Sequence, residues 1–139
     1  MHSKCFIDTS VWLAYSIPQD INHKRAVDIL KNLFALSSLI YTSNDVVDES
    51  VTRLAYTTHS GIVSKFVVFF KEATSDKSIE QLWVTPEIQE EAFRFLNKYS
   101  DHKLSLTDAT TAVLVKRFHI DKIITFDSDF TKIGLSTLP

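Results

Sequence analysis

Short apolar runs alternate in this chain with longer stretches whose apolar residues recur at helical spacing, and that alternation constrains the fold more than anything else. Lys4 to Ile7, Leu39 to Tyr41, Gln81 to Val84 and Lys122 to Phe126 read as strands, and Ile133 to Leu138 as an edge strand. From His23 onward Ala26, Ile29, Leu30, Leu33 and Phe34 predict a helix. A second starts at Asp45 behind a cap at Ser43 or Asn44 and presents Val47, Val51, Leu54 and Ala55 on one face. Pro86 opens another, with Ile88, Ala92, Phe95, Leu96 and Tyr99 on its buried side, and a further helix runs from Ser105 through Phe118. Val11 to Tyr15 reads as a helical turn; Thr74 to Ser78 and Asp127 to Phe130 read as turns. The stretch Ile62 to Phe70 is apolar on more than one face, which fits either deep burial or a partner interface. Strands that alternate with helices imply an α/β fold whose parallel sheet is covered on both faces. With 139 residues, two glycines and three prolines, residues 1–139 are expected to form a single domain.

In an open α/β sheet, sites form beyond the carboxyl ends of the strands. Asp8 directly follows the first strand, and Asp127 closely follows the fourth. Glu49 lies in the early turns of the helix after the second strand, one turn from Asp45 on the same face. Asp108 lies in the first turn after Ser105. Strand ends and the starts of the helices that follow them share one edge of a parallel sheet, so these four acids are expected to converge there. Carboxylates gathered in one place repel unless a cation sits among them, and oxygen ligands select hard ions such as Mg²⁺ or Mn²⁺. Few histidines lie near these segments, which argues against zinc.

Each acid also has an ordinary structural reading. Asp8 could cap a turn, Glu49 could pair with Arg53, Ser105 and Asp108 could form a capping box, and Asp127 and Asp129 could be turn residues. An apolar strand seldom needs an acid at its carboxyl end in two separate places, so together these readings weaken. Asp48, beside Glu49, should point about 100° away around the helix.

With 15 basic and 17 acidic residues the formal net charge is −2, which excludes a grip on nucleic acid by bulk charge. The basic candidates for local contact are Lys24, Arg25, Lys65, Lys71, Lys116 and Arg117, although solvated helix faces account for most of them. The single cysteine, Cys5, excludes an internal disulfide and a thiolate zinc site, and it reads as a buried strand residue. The N-terminus lacks the apolar run of a signal peptide and no stretch approaches a membrane span, so a cytoplasmic location with no membrane partner is expected.

Three segments carry a resemblance. Phe6-Ile7-Asp8-Thr9-Ser10-Val11, Leu104-Ser105-Leu106-Thr107-Asp108-Ala109 and Thr125-Phe126-Asp127-Ser128-Asp129-Phe130 resemble, in order, the signature segments of PIN-domain ribonucleases, and the closest type is the VapC-like toxin of prokaryotic toxin–antitoxin pairs. The resemblance implies a three-layer α/β/α sandwich with a central, mainly parallel sheet. It implies Mg²⁺- or Mn²⁺-dependent endonucleolytic cleavage of RNA by Asp8, Glu49, Asp108 and Asp127, with Asp129 as a further acid and Thr9 or Ser10 shaping the pocket. It also implies a cognate antitoxin and a homodimer, with Phe66 to Phe70 as the contact candidate. The segment His59 to Asp76 is less basic than a strong RNA grip would want.

Two other readings remain on these residues. Aspartyl-phosphate phosphotransfer would need a second Asp two places after Asp8, where Ser10 stands. A catalytically weak binding module would be signalled by missing acids, and all four are present.

Overall fold

The computed structural model describes residues 3–139. Its elements run β1 (Lys4–Ile7), α1 (Thr9–Ser16), α2 (His23–Ala35), β2 (Leu39–Ser43), α3 (Asn44–Thr57), α4 (Ser60–Ser75), β3 (Ile79–Leu82), α5 (Pro86–Lys98), a 3₁₀ turn at Ser100–His102, α6 (Leu106–Arg117), β4 (Lys122–Ile124), α7 (Asp129–Lys132) and β5 (Thr137–Leu138). The strands form one sheet in the order β3-β2-β1-β4-β5, and every pairing is parallel. Successive side chains of a strand point to opposite faces, yet Cys5, Phe6 and Ile7 are all buried, as are Ile123 and Ile124. Both faces of the sheet are therefore covered, giving the expected three-layer α/β/α sandwich. Among the described residues no helix is long and apolar enough to cross a membrane.

The strand order positions the site. The chain starts at the centre in β1, builds outward through β2 to β3, and returns to lay β4 against the other side of β1. The carboxyl ends of β1 and β4 thus flank the point where the winding reverses, and at such a point the following loops diverge and leave a crevice. The backbone N–H of Asp8 donates to the Ile124 carbonyl at 3.0 Å, which ties the two strand ends together.

Trp12 anchors α1 beneath this edge. Its ring is fully buried, and its indole N–H donates to Thr42 Oγ1 at 3.2 Å. The Thr42 hydroxyl donates in turn to the Ile7 carbonyl at 3.0 Å, so a core aromatic is satisfied through β2 onto β1. The rings of Phe66 and Phe69 meet Trp12 at centroid distances of 5.9 and 6.0 Å. Helix α4 is accordingly divided: Phe66 is core, Phe69 and Phe70 pack against the core while partly exposed, and Val68 is 55% exposed.

Several boundaries differ from expectation, each for a local reason. The helical turn at Val11 to Tyr15 is a full helix from Thr9, and α4 runs two residues into the expected turn, ending at Ser75. The third strand lies two residues earlier than expected. Beyond Leu82 the Val84 N–H donates to Asn44 Oδ1 at 2.7 Å instead of to a strand, and Trp83 points outward. Ser43, not Asn44, caps α3, accepting from the Val46 N–H at 3.1 Å. Beyond Ile124 the Thr125 N–H still donates to the Leu138 carbonyl at 2.8 Å, but the Phe126 and Asp127 N–H groups turn to the side chains of Ser10 and Thr125, and β4 stops. The expected turn after Asp127 winds into α7, and the edge strand shrinks to two residues once α7 and the turn at Gly134 (φ 85°) have used the chain before it.

Candidate metal and active site

Asp8 lies at the centre of a small hydroxyl network. Thr125 Oγ1 donates to Asp8 Oδ2 at 2.8 Å, and Ser10 Oγ lies 3.3 Å from the same oxygen. Each hydroxyl also accepts from the backbone after β4: Ser10 from the Phe126 N–H at 3.0 Å, and Thr125 from the Asp127 N–H at 3.0 Å. One hydroxyl hydrogen from each side can therefore point at Asp8 while the lone pairs hold the Phe126–Asp127 segment in place. Thr125 is the residue that sequence reasoning missed. Its signal was its place at the end of an apolar run, one residue before Phe126-Asp127, where it read as part of a strand. Thr9, by contrast, turns inward, and its buried hydroxyl has no partner, so Ser10 is the one of the two that touches the site.

Burial dominates the electrostatics of Asp8. It is 6% exposed, and desolvation pushes its carboxyl from 3.8 up to about 6; the hydroxyl and Thr9 N–H bonds pull the other way, and the charge of Asp108 adds to the rise. Asp108 is also raised, first by burial and then by the charges of Asp127 and Glu49, against the Ser105 N–H bond that lowers it. Asp108 thus stands electrostatically between the other three acids. The capping box is real: Asp108 Oδ2 accepts from the Ser105 N–H at 3.1 Å, and the Ser105 hydroxyl accepts from the Asp108 N–H at 3.0 Å. That bond occupies one carboxylate oxygen and orients the side chain, so capping and site duty are compatible.

Glu49 is half-buried on α3, whereas Asp48 is exposed. Among the described residues no ion pair joins Glu49 to Arg53. Thr110 on α6 donates to Asp45 Oδ2 at 2.9 Å, pinning the start of α3, and with it Glu49, against the helix that carries Asp108. Asp127 is exposed, and its Oδ1 accepts from the Asp129 N–H at 3.0 Å. The Asp129 carboxylate leans the other way, 3.8 Å from Lys132 Nζ. Among the described residues no three acid, histidine or cysteine side chains are close enough together to enclose an ion.

A parallel α/β sheet with Asp8 at the end of β1 and Asp127 beyond β4, on either side of the switch point, is the frame for the class of this protein. Residues 5–135 match the PIN domain family, and the chain belongs to that family. It is 28% identical over 131 residues to the 23S rRNA-specific endonuclease VapC20 of Mycobacterium tuberculosis, an alignment covering 93% of each chain. The crystal structure of that VapC20, described as a Sarcin-Ricin loop cleaving toxin, superposes with a TM-score of 0.78 at 26% identity, covering 94% of this chain and 95% of the other. VapBC2 from Rickettsia felis, solved bound to a promoter DNA fragment, shares the fold with a TM-score of 0.72 at 12% identity, covering 96% of each chain.

Proposed function

We propose that this chain is a divalent-cation-dependent endoribonuclease that hydrolyses RNA phosphodiester bonds as the toxin of a type II toxin–antitoxin pair, with residues 1–139 as one PIN domain. One observation carries the reading: a buried Asp8, fed by two hydroxyls, sits within electrostatic reach of Asp108, which also feels Glu49 and Asp127. The donor set fits a hard cation. Every donor is a carboxylate oxygen, and the most buried carries a raised pKa that a neighbouring positive charge would reverse. Asp8, Glu49, Asp108 and Asp127 would hold Mg²⁺ or Mn²⁺, with Asp129 as an outer acid tethered to Lys132. Such an ion, when bound, supplies Lewis-acid polarisation of the phosphate and a lowered pKa for water.

The remaining work falls to the chain's own groups. Ser10 and Thr125 fix the orientation of Asp8 and keep Oδ1 free of their hydroxyls. Glu49 and Asp108 are the two carboxylates able to orient or deprotonate the attacking water. Burial and the charges of Asp127 and Glu49 raise the pKa of Asp108, which favours it as the proton acceptor. Ser10 occupies the place where an aspartyl-phosphate enzyme needs its second acid, and it serves Asp8 as a hydrogen-bond donor, which disfavours phosphotransfer.

The specificity of the Mycobacterium tuberculosis relative extends here to the substrate class, RNA. A cytoplasmic setting, a cognate antitoxin and a homodimer complete the proposal, with the exposed side of α4 as the contact surface. The test is cleavage of labelled RNA by the purified protein in Mg²⁺ or Mn²⁺. EDTA should abolish it, and Asp8→Asn should lower it by about 100-fold or more. Undiminished cleavage by the Asp8→Asn protein would sink the site.

A further inference from the structure

Two of the basic candidates for RNA contact are committed elsewhere. Arg117 is paired with Glu91, and Lys116 lies over the Phe95 ring at 5.3 Å. Both contacts belong to the packing of α5 and α6. Arg25 on α2 is different. Its guanidinium lies 5.5 Å from the centroid of the Phe126 ring, and Phe126 is the residue between Thr125 and Asp127. The backbone N–H of that same Phe126 is bonded to Ser10 Oγ, which contacts Asp8. An exposed arginine is thus held on an aromatic platform that is itself bolted to the acidic edge.

Arg25 makes no ion pair among the described residues. A guanidinium packed over a ring keeps its planar fork of donors directed away from the ring face, and it loses little further freedom when it binds an oxyanion. A nucleic-acid backbone passing the acidic edge places phosphates on both sides of the one being cut. The chain as a whole has no excess of positive charge to attract them.

We propose that Arg25, held by Phe126, binds an RNA backbone phosphate next to the one that enters the acidic pocket. It is a substrate-binding group, and the proposal rests on the ribonuclease reading. Its chemistry is charge-assisted, bidentate hydrogen bonding of guanidinium to phosphate, without reading of base identity.

Binding can be measured without cleavage. A short fluorescein-labelled single-stranded RNA is titrated, in EDTA, into full-length protein carrying Asp8→Asn, and anisotropy is followed across a salt series. Adding Arg25→Gln should weaken binding about tenfold and reduce the slope of log affinity against log salt by about 0.7, the value for one phosphate contact on a single strand. Arg25→Lys should recover part of the affinity, and Arg94→Gln on α5, the same charge change elsewhere, should leave binding unchanged. In otherwise unaltered protein with Mn²⁺, Arg25→Gln should raise KM about tenfold and leave kcat within about twofold, with an unchanged melting temperature and Mn²⁺-induced thermal shift.

Equal binding with and without Arg25, or an equal loss in Arg94→Gln, overturns the proposal. So does a fall in kcat at constant KM. Unaltered protein that leaves RNA intact in Mn²⁺ overturns the ribonuclease reading instead. A loss of binding specific to Arg25 would still be read in the metal-free titration.

Discussion

Replacing Asp8 by Asn should make the metal-free protein more stable, and only above the acid range. A carboxyl whose pKa rises from 3.8 in the unfolded chain to about 6 in the folded one is easier to ionise when unfolded. Ionisation therefore costs folding stability: nothing well below 3.8, an increasing amount between the two values, and about 3 kcal/mol above the folded pKa. Asparagine is isosteric and neutral, so it removes that cost. Its amide oxygen can still accept from Thr125, but its NH₂ group cannot accept from the Thr9 N–H, a loss of about 1 kcal/mol. The net gain is about 2 kcal/mol near pH 7.5 and about zero near pH 4.5, where the ionisation cost has fallen to about 1 kcal/mol. For a chain of this size that is a melting-temperature increase of about 6 °C at the higher pH and none at the lower. Thermal denaturation of both proteins in EDTA at the two pH values measures it. Groups common to both proteins cancel in the difference. An equal shift at both pH values, or a destabilised variant near pH 7.5, would refute the claim that Asp8 is strained by its own charge. Saturating Mn²⁺ should then reverse the order, because only the wild-type carboxylate gains a cation.

Thr125→Val keeps the shape but removes the donor to Asp8 and the acceptor for the Asp127 N–H; Mn²⁺ affinity, read by thermal shift, should fall about 10- to 100-fold with the fold retained. Asp108→Asn should abolish RNA cleavage, whereas Asp129→Asn, whose carboxylate leans to Lys132, should cost less than about tenfold in kcat/KM. Phe66→Ala should cost about 3–5 kcal/mol in urea denaturation, since it empties the core beside Trp12. Val68→Glu should unfold at nearly wild-type urea concentration, and light scattering would then show whether that exposed face joins two copies.

The parallel sheet and the helix order were legible because they rest on period and length. Runs such as Cys5-Phe6-Ile7 and Ile123-Ile124 are buried on both faces and need no partner information to be recognised. The places of Asp8 after β1 and Asp108 at the start of α6 were legible for the same reason, since strand ends and the following helix starts are fixed by topology. Element ends were less so. Whether Phe126 continues β4 depends on Ser10, 116 residues away, accepting its N–H, and no local pattern encodes that. Asp45 looked like the first acid of a helix, and its bond to Thr110 on α6 is visible only after α3 and α6 are packed together. The choice between Thr9 and Ser10 turned on one residue of helix phase at the start of α1: Thr9 faces the core and Ser10 the site.

The site and the stability of the fold draw on the same residues in opposite senses. Thr42 satisfies Trp12 and the end of β1 with neutral groups, and it does so wholly inside the core. One turn of chain away, Ser10 and Thr125 spend comparable hydroxyls on a carboxylate that burial disfavours. Had the network evolved for stability alone, a neutral residue at position 8 would satisfy the same two hydroxyls at lower cost. A buried carboxylate that is hydrogen-bonded, lacks a basic partner among the described residues and faces further acids is the arrangement expected when the missing charge comes from outside the chain. Arg25 makes no ion pair among the described residues and rests on Phe126. If arginine were the intended counter-charge, it would pair with a carboxylate as Arg117 does with Glu91. A cation that rests on Phe126 without pairing to an acid agrees with the two proposals above, a metal ion for the carboxylates and a phosphate for the guanidinium.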